Sequence, residues 1–286
     1  MMQAVWALTR PRLALFVALS TATGYRLAGG GMETALWLVS AGTGLLALGA
    51  SALNQAQEAH LDRRLERTRA RPVPSGRLAA RDAARIGLAA IAVGLLALLG
   101  AGGGSASAAG LLAIVWYNGL YTPLKRRTAF AAIPGALVGS LGPAIGWLAA
   151  GGAPGAEALH LLMLVFFLWQ VPHFWLLALR YGDDYRRAGL PHPARRLGEP
   201  ALRRLTFTWI VAAATAPLLA PLFGLLQSRA LFLVLCAAGL VLAAGSLRLL
   251  RADGVEESWL RLSFIRINAF ALAIMALLIA DGAIGM

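Results

Sequence analysis

One stretch of the sequence decides the fold: residues 35–72, ALWLVSAGTGLLALGASALNQAQEAHLDRRLERTRARP. Residues 35–56 are almost entirely apolar, and about 20 such residues are enough to cross a bilayer as a helix. Three acidic residues and five arginines follow directly, within residues 57–72. The stretch therefore predicts a membrane helix that ends in a densely charged segment.

The composition extends this prediction to the whole chain. Of the 286 residues, 59% are hydrophobic and 14% are charged, whereas soluble domains average about 25% charged residues. Short links containing glycine and proline leave no room for a second domain. We therefore expect an all-α, polytopic membrane protein that forms one domain over residues 1–286. Its transmembrane helices, about nine in number, are predicted near residues 12–29, 35–56, 84–102, 105–121, 129–150, 156–179, 205–226, 229–249 and 260–282.

The basic residues orient these helices in the membrane. With nine spans, the N-terminus and the loops after the even-numbered spans share one side, and 23 of the 26 lysines and arginines lie there. The positive-inside rule makes that side cytoplasmic. Membrane topology thus accounts for the net charge of +13, and nucleic acid is not an expected partner. Ten of the thirteen acidic residues also lie on this side, which the rule does not explain.

The acids at the start of the first cytoplasmic loop have a regular spacing. Asn54, Glu58 and Asp62 are four residues apart, so they share one face if the second helix continues to Asp62. Two carboxylates and an amide suit Mg²⁺, which prefers oxygen ligands and often binds together with substrate phosphates. Arg67, Arg69 and Arg71 would then suit the phosphate oxygens. A salt-bridged surface helix with cytoplasmic arginines is the alternative, although Glu58 and Asp62 form a like-charge pair that destabilises such a helix.

A second loop, residues 169–191, repeats this combination of acids and arginines at a helix end. Asp183 and Asp184 are flanked by arginines, so the two loops could hold a metal-bridged diphosphate between them. His173 lies inside the predicted span, where an ionisable group indicates either a functional site or a hydrogen bond to a neighbouring helix. Tyr185 belongs either to an interfacial aromatic belt or to a surface that faces a carbocation.

Several segments together resemble one known family. The chain resembles the UbiA superfamily of intramembrane prenyltransferases, and most closely its branch of heme-modifying farnesyltransferases. The resemblance covers about two-thirds of the chain. It lies in LTRPRLALF (8–16), the spacing of Asn54, Glu58 and Asp62 followed by RTRARP (67–72), YTPLKRRT (121–128), GSLGPAIGW (139–147), FLWQVPHFW (167–175) and DYRRAGLP (184–191).

The resemblance implies a bundle of nine helices around a central cavity and a multi-pass protein of the cell (inner) membrane. It implies Mg²⁺ as cofactor, with farnesyl diphosphate and heme B as substrates, and membrane lipid as the surroundings. The farnesyl group would be transferred to a heme vinyl carbon. By position, the implied catalytic residues are Asn54, Glu58, Asp62 and Asp184. The implied metal ligands are Asn54, Glu58, Asp62, Asp183 and Asp184. The implied diphosphate ligands are Arg67, Arg71, Lys125 and Arg126, and the implied acceptor-binding residues are His173 and Tyr185.

Two segments depart from the family pattern. His192 stands where the family usually has methionine, and FIRIN at 264–268 does not resemble the usual last helix. These departures concern the acceptor, for which a quinone or another aromatic compound is the alternative to heme. A transporter and a non-catalytic heme-handling protein are alternatives of a different class. No motif assigns an oligomeric state.

Overall fold

The computed structural model describes residues 2–251 and 254–284, and all the regular structure in these ranges is helical. The ends of the predicted domain, at residues 1 and 286, lie outside the described residues. The α-helices are α1 (Met2–Thr9), α2 (Pro11–Leu27), α3 (Thr34–Asp62), α4 (Ala80–Ile114), α5 (Thr122–Leu124), α6 (Ala132–Ala149), α7 (Glu157–Arg180), α8 (Gly182–Arg187), α9 (Ala194–Leu197), α10 (Glu199–Thr215), α11 (Arg229–Gly245) and α12 (Glu257–Ile284). A π-helix follows α4 at Val115–Tyr121, and 3₁₀ segments follow α10 and α11 at Ala216–Phe223 and Leu247–Leu250.

Seven of the described helical segments are long and apolar enough to cross a membrane. Many of their exposed side chains are also apolar, among them Leu96, Leu240 and Val241, as expected for helices that face lipid. The prediction of an all-α, multi-pass membrane protein is confirmed. The count of nine spans stays a prediction, as does the central cavity. Two predicted spans, 84–102 and 105–121, lie on one helical stretch from Ala80 to Leu124, which Gly103 interrupts with a φ of 78°.

The contacts divide the chain into two compact units. The first comprises Met1–Arg127, Leu141–Gly152 and Asp183–Leu190. Its main packing joins α3 to α4, where two glycines allow a close approach: a Cβ atom added to Gly49 would lie 2.6 Å from the Gly87 carbonyl oxygen. Small residues at such crossings let membrane helices pack backbone to backbone. The helices α3 and α4 thus form the main packed pair of the first unit.

The second unit comprises Thr128–Ser140, Ala153–Gly182 and Pro191–Met286. In it, α7 packs against both α10 and α12. The buried ring of Trp175 on α7 makes an edge contact with Trp209 on α10, with ring centroids 5.8 Å apart. On another face of α7, the Trp169 indole Nε1 donates to the Ile267 carbonyl of α12 at 2.9 Å. His173 lies between these two tryptophans on α7 and is half-buried.

Candidate active site

The end of α3 carries the predicted row of acids. The helix continues to Asp62, so the condition for Asn54, Glu58 and Asp62 to share one face is met. All three side chains are buried, with 4%, 2% and 3% of their surface exposed. Burying a carboxylate is costly unless it is paired and hydrogen-bonded. A row of two buried acids is therefore not the solvated surface of a salt-bridged helix, and each acid should have a cation nearby.

Glu58 has its cations on the segment after α5. Lys125 forms an ion pair with the Glu58 Oε2 atom, and the Arg126 Nε lies 3.8 Å from Oε1. The Asn54 amide also donates to Oε2, at 3.0 Å. Burial lowers the pKa of Lys125, and the Glu58 carboxylate opposes that shift. Two of the predicted diphosphate ligands, Lys125 and Arg126, are thus brought to the central predicted metal ligand.

Asp62 has its cation within the first charged loop. The Arg71 Nη1 donates to the Asp62 Oδ2 at 2.8 Å, and the Arg71 side chain is only 21% exposed. The Thr68 hydroxyl donates to the Asp62 main-chain carbonyl at 2.9 Å, which folds the loop back onto the end of α3. The predicted diphosphate ligand Arg71 and the predicted metal ligand Asp62 are therefore in direct contact.

The π-helix and the first residue of α5 supply partners that the sequence did not single out. The Asn54 amide donates to the Thr122 hydroxyl at 3.0 Å, and that hydroxyl donates to the Tyr117 carbonyl at 2.9 Å. The rings of Tyr117 and Tyr121 stack 5.7 Å apart, and the Lys125 ammonium lies 5.5 Å from the Tyr121 ring centroid. Local π-helical turns are frequent at functional sites. Polar residues inside the apolar span 105–121 were the available signal, because such residues are expensive in a membrane.

The two acids of the second charged loop lie in different environments. Asp184 is buried, with 7% of its surface exposed, and its carboxylate accepts hydrogen bonds from the main-chain N–H groups of Glu66 and Arg67 at 2.8 Å and 3.2 Å. Asp183 is exposed and pairs with Arg186 one turn away, a contact that lowers the pKa of Asp183. The two acids are adjacent in sequence, but only Asp184 reaches the first loop.

The two predicted acceptor-binding residues lie in different units. The His173 Nδ1 lies 3.0 Å from the Asn268 Oδ1 of α12, and its ring centroid lies 4.7 Å from that of Phe264. The divergent segment 264–268 is thus the partner of His173, and the hydrogen bond to a neighbouring helix is present. Tyr185 is half-buried on α8. His192, the other departure, hydrogen-bonds through its Nε2 to the Ala178 carbonyl at 2.9 Å.

The residues at the end of α3 fit a hard divalent cation. Among the described residues, no group of three or more histidines, cysteines or acids forms a metal site, so a cation would need the Asn54 amide beside the two carboxylates. The Glu58 Oε1 is buried and has no hydrogen-bond partner among the described residues. An all-oxygen set of this kind suits Mg²⁺ when substrate phosphates complete the coordination. The metal-ligand predictions for Asp183 and Asp184 stay predictions, as do the predicted roles of all the other site residues.

Residues 17–279 of the chain match the profile of the UbiA prenyltransferase family. The chain belongs to this family. The match covers most of the chain, including the row of acids on α3, the cations after α5 and the second charged loop. The prediction that the protein is a prenyltransferase of the UbiA family is confirmed.

Curated relatives within the UbiA family are similar over most of their length. A protein of Geobacter sulfurreducens named "Protoheme IX farnesyltransferase" is 49% identical over 225 residues, which are 78% of this chain and 82% of that protein. A protein of the same name from Oleidesulfovibrio alaskensis is 41% identical over 283 residues, or 98% of this chain and 97% of that protein.

Solved UbiA structures share the fold. The apo structure of a UbiA homologue from Aeropyrum pernix K1 superposes with a TM-score of 0.77 and 18% identity, covering 95% of this chain and 98% of that one. A UbiA homologue from Archaeoglobus fulgidus, bound to GPP and Mg²⁺, superposes with a TM-score of 0.67 and 16% identity, covering 96% of this chain and 99% of that one.

Proposed function

We propose that this UbiA enzyme transfers the farnesyl group of farnesyl diphosphate to a vinyl group of protoheme IX, in a Mg²⁺-dependent reaction that makes heme O. The observation that carries the choice of substrates is the 41% identity, over 98% of the chain, to a protein named protoheme IX farnesyltransferase. The buried acids of α3 and their cations support the same chemistry, because metal ions and basic side chains both stabilise the negative charge of a departing diphosphate.

The cations around α3 have the chemistry to bind the diphosphate. Lys125 and Arg71 each contact a buried carboxylate, and Arg126 lies beside the same Glu58 carboxylate. Guanidinium and ammonium groups form their strongest hydrogen bonds with carboxylate and phosphate oxygens. We propose that these cations, with Arg67, donate to the phosphate oxygens when the substrate binds, so that the acids become available to a metal.

Asn54, Glu58 and Asp62 would hold the Mg²⁺ ion. When bound, Mg²⁺ neutralises the charge that develops on the departing diphosphate. Lys125, Arg71 and Arg126 add their own positive charge at the same place, and preorganised charge of this kind is often the largest single contribution to catalysis.

The reaction balances with water as the third reactant. The bond between the farnesyl C1 carbon and the diphosphate oxygen breaks, and diphosphate leaves with the electron pair. The vinyl π electrons of the heme form the new C–C bond. Water adds to the other vinyl carbon and loses a proton, which gives the hydroxyethylfarnesyl group. The allylic cation needs an environment that excludes water until this point, and aromatic ring faces stabilise such a cation.

His173 is proposed to contribute to binding the acceptor, and the same role for Tyr185 stays a prediction. His173 is surrounded by rings, since the Trp169 and Phe264 centroids lie 5.1 Å and 4.7 Å from its own. A flat aromatic macrocycle packs well against rings of this kind. The proposed location is the inner membrane, with the N-terminus and both charged loops on the cytoplasmic face, because 23 of the 26 basic residues fall on one side of the nine predicted spans.

The direct test is a product analysis. The purified protein is incubated with farnesyl diphosphate, heme B and Mg²⁺, and the heme is analysed by mass spectrometry. We expect a heme that has gained one farnesyl group and one hydroxyl, and no product when EDTA removes the Mg²⁺. Turnover of a quinone precursor without turnover of heme would instead assign the alternative acceptor. Heme binding without any transfer would favour the non-catalytic alternative.

A further inference from the structure

The contact between the two charged loops has an unusual form. The Asp184 carboxylate lies against the main chain of the first charged loop, at the start of the segment that carries Arg67 and Arg71. Its Oδ1 and Oδ2 atoms accept from two consecutive main-chain N–H groups, those of Glu66 and Arg67. Consecutive N–H groups that point to one anion form a compact anion-binding turn. Here the anion is part of the protein.

The first loop leaves these two N–H groups available. The turns of residues 65–71 are held by hydrogen bonds from the amides of Thr68 and Arg69 to the Leu65 carbonyl, and from the Arg71 amide to the Thr68 carbonyl. The amides of Glu66 and Arg67 are bonded to Asp184 instead. The segment that carries the proposed diphosphate ligands Arg67 and Arg71 is therefore fastened at its start by a side chain from α8.

A second contact from α8 reaches the same place. The Arg187 Nη2 donates to the Glu66 Oε2 at 3.2 Å. Asp184 and Arg187 are three residues apart, so they lie on one face of α8, whereas Asp183 and Arg186 pair with each other at the surface. We use the name loop clasp for the contacts of Asp184 and Arg187 with Glu66 and the Arg67 amide.

We propose that Asp184 is a positioning residue, which acts on the diphosphate by fixing the main chain of residues 66–71 through the loop clasp. This role rests on the proposed function, because it assumes that Arg67 and Arg71 meet the diphosphate. It differs from the predicted role of Asp184 as a metal ligand, because it requires only the two hydrogen bonds that the carboxylate already accepts from the first loop. Fixing the loop before the substrate binds reduces the ordering that binding would otherwise require.

The loop clasp predicts a specific result for Asp184→Asn. The amide has the shape of the carboxylate but only one acceptor oxygen, and its NH₂ group would face a main-chain N–H. Loss of one charge-assisted hydrogen bond should weaken farnesyl diphosphate binding roughly tenfold. The loss should raise KM more than it lowers kcat, because Arg67 and Arg71 would contact the phosphates in the bound substrate as well as in the transition state. The half-saturating Mg²⁺ concentration should not change.

Hydrogen exchange of the main-chain amides tests the loop clasp in the absence of substrate and metal. In the wild-type protein we expect slow exchange in peptides that cover residues 63–72. Exchange there should accelerate in Asp184→Asn, less so in Arg187→Gln, and not at all in Arg186→Gln, which removes only the surface pair with Asp183. Unchanged exchange in the Asp184 variant would overturn the clasp. If that variant cannot be purified folded, Arg187→Gln against Arg186→Gln gives the same comparison.

The kinetic test separates the clasp from metal ligation. A higher KM for farnesyl diphosphate with an unchanged Mg²⁺ requirement supports the positioning role. A higher half-saturating Mg²⁺ concentration, with unchanged KM at saturating Mg²⁺, would assign Asp184 to the metal and overturn the proposal. A wild-type protein that transfers no farnesyl group would refute the proposed function, while the exchange experiment would still decide whether the clasp exists.

Discussion

The two charged loops look alike in sequence but use their acids in different ways. At the end of α3, Glu58 and Asp62 are buried against the side chains of Lys125 and Arg71. On α8, Asp184 is buried against main-chain N–H groups, and Asp183 stays exposed. Side-chain cations can move to a phosphate when a substrate arrives, whereas main-chain amides cannot leave their loop. The first loop therefore has the properties of a binding site, and the second has those of its support.

The largest effect should come from the acids of α3. Glu58→Gln and Asp62→Asn each keep the side-chain shape but remove the charge that would bind Mg²⁺. We expect at least about a hundredfold loss of activity, because even groups that only orient metal ligands contribute about 10- to 100-fold. Steady-state assays of heme farnesylation measure this loss. The control is Asp82→Asn, at the exposed start of α4. Near wild-type activity in both α3 variants would contradict the metal site.

A smaller effect is expected from Arg71→Gln. The substitution removes one proposed phosphate contact and leaves the Asp62 carboxylate without its 2.8 Å partner. A hydrogen bond between charged groups contributes about 1.5–3 kcal/mol, so KM for farnesyl diphosphate should rise about 10- to 100-fold. Arg81→Gln, on the exposed first turn of α4, is the matched control. An equal change in both variants would show that only the net charge of the cytoplasmic face matters.

A still smaller effect is expected from Thr122, the first residue of α5 after the π-helix. Thr122→Val keeps the side-chain shape but removes the hydroxyl that accepts from Asn54 at 3.0 Å. The Asn54 amide would lose one buried partner, at a cost of about 1–3 kcal/mol. Tm should fall, and activity should fall several-fold as Asn54 loses its orientation. Thermal unfolding in detergent can be compared with that of Thr208→Val, where the hydroxyl is exposed. No difference between the two variants would show that Thr122 does not hold Asn54.

The smallest effect should come from Arg186→Gln. Its ion pair with Asp183 is exposed on both sides, and such surface pairs contribute little to stability. Activity should stay within about twofold of the wild type, and the Tm should not change. Comparing this variant with Arg187→Gln isolates the side of α8 that contacts the first loop. A larger loss in the Arg186 variant would reverse the assignment of the two faces.

The same contrast explains what the sequence could predict. A spacing of four residues on a continuing helix fixes a shared face, so Asn54, Glu58 and Asp62 could be grouped without a structure. Apolar length and the distribution of arginines were enough for the all-α membrane fold. The cations after α5 could be assigned only through the resemblance to the family, because nothing local links residues 58 and 125.

The remaining features depend on contacts that leave no local pattern. Asp183 and Asp184 look equivalent in sequence, and only tertiary packing decides which of them reaches the first loop. The π-helical turn at Val115–Tyr121 is set by the extra residue it accommodates, and apolar periodicity does not reveal it. The pairing of His173 with Asn268 joins helices 95 residues apart in sequence, in a segment that departs from the family pattern.

The most direct test of the central claim is the Mg²⁺ dependence of diphosphate binding. The affinity for a non-reactive farnesyl diphosphate analogue can be measured with and without Mg²⁺, in the wild type and in Asp62→Asn. We predict that Mg²⁺ tightens binding at least about tenfold in the wild type, or about 1.4 kcal/mol, and has little effect in the variant. An equal Mg²⁺ effect in both proteins would show that the acids of α3 do not hold the metal, and would contradict the account.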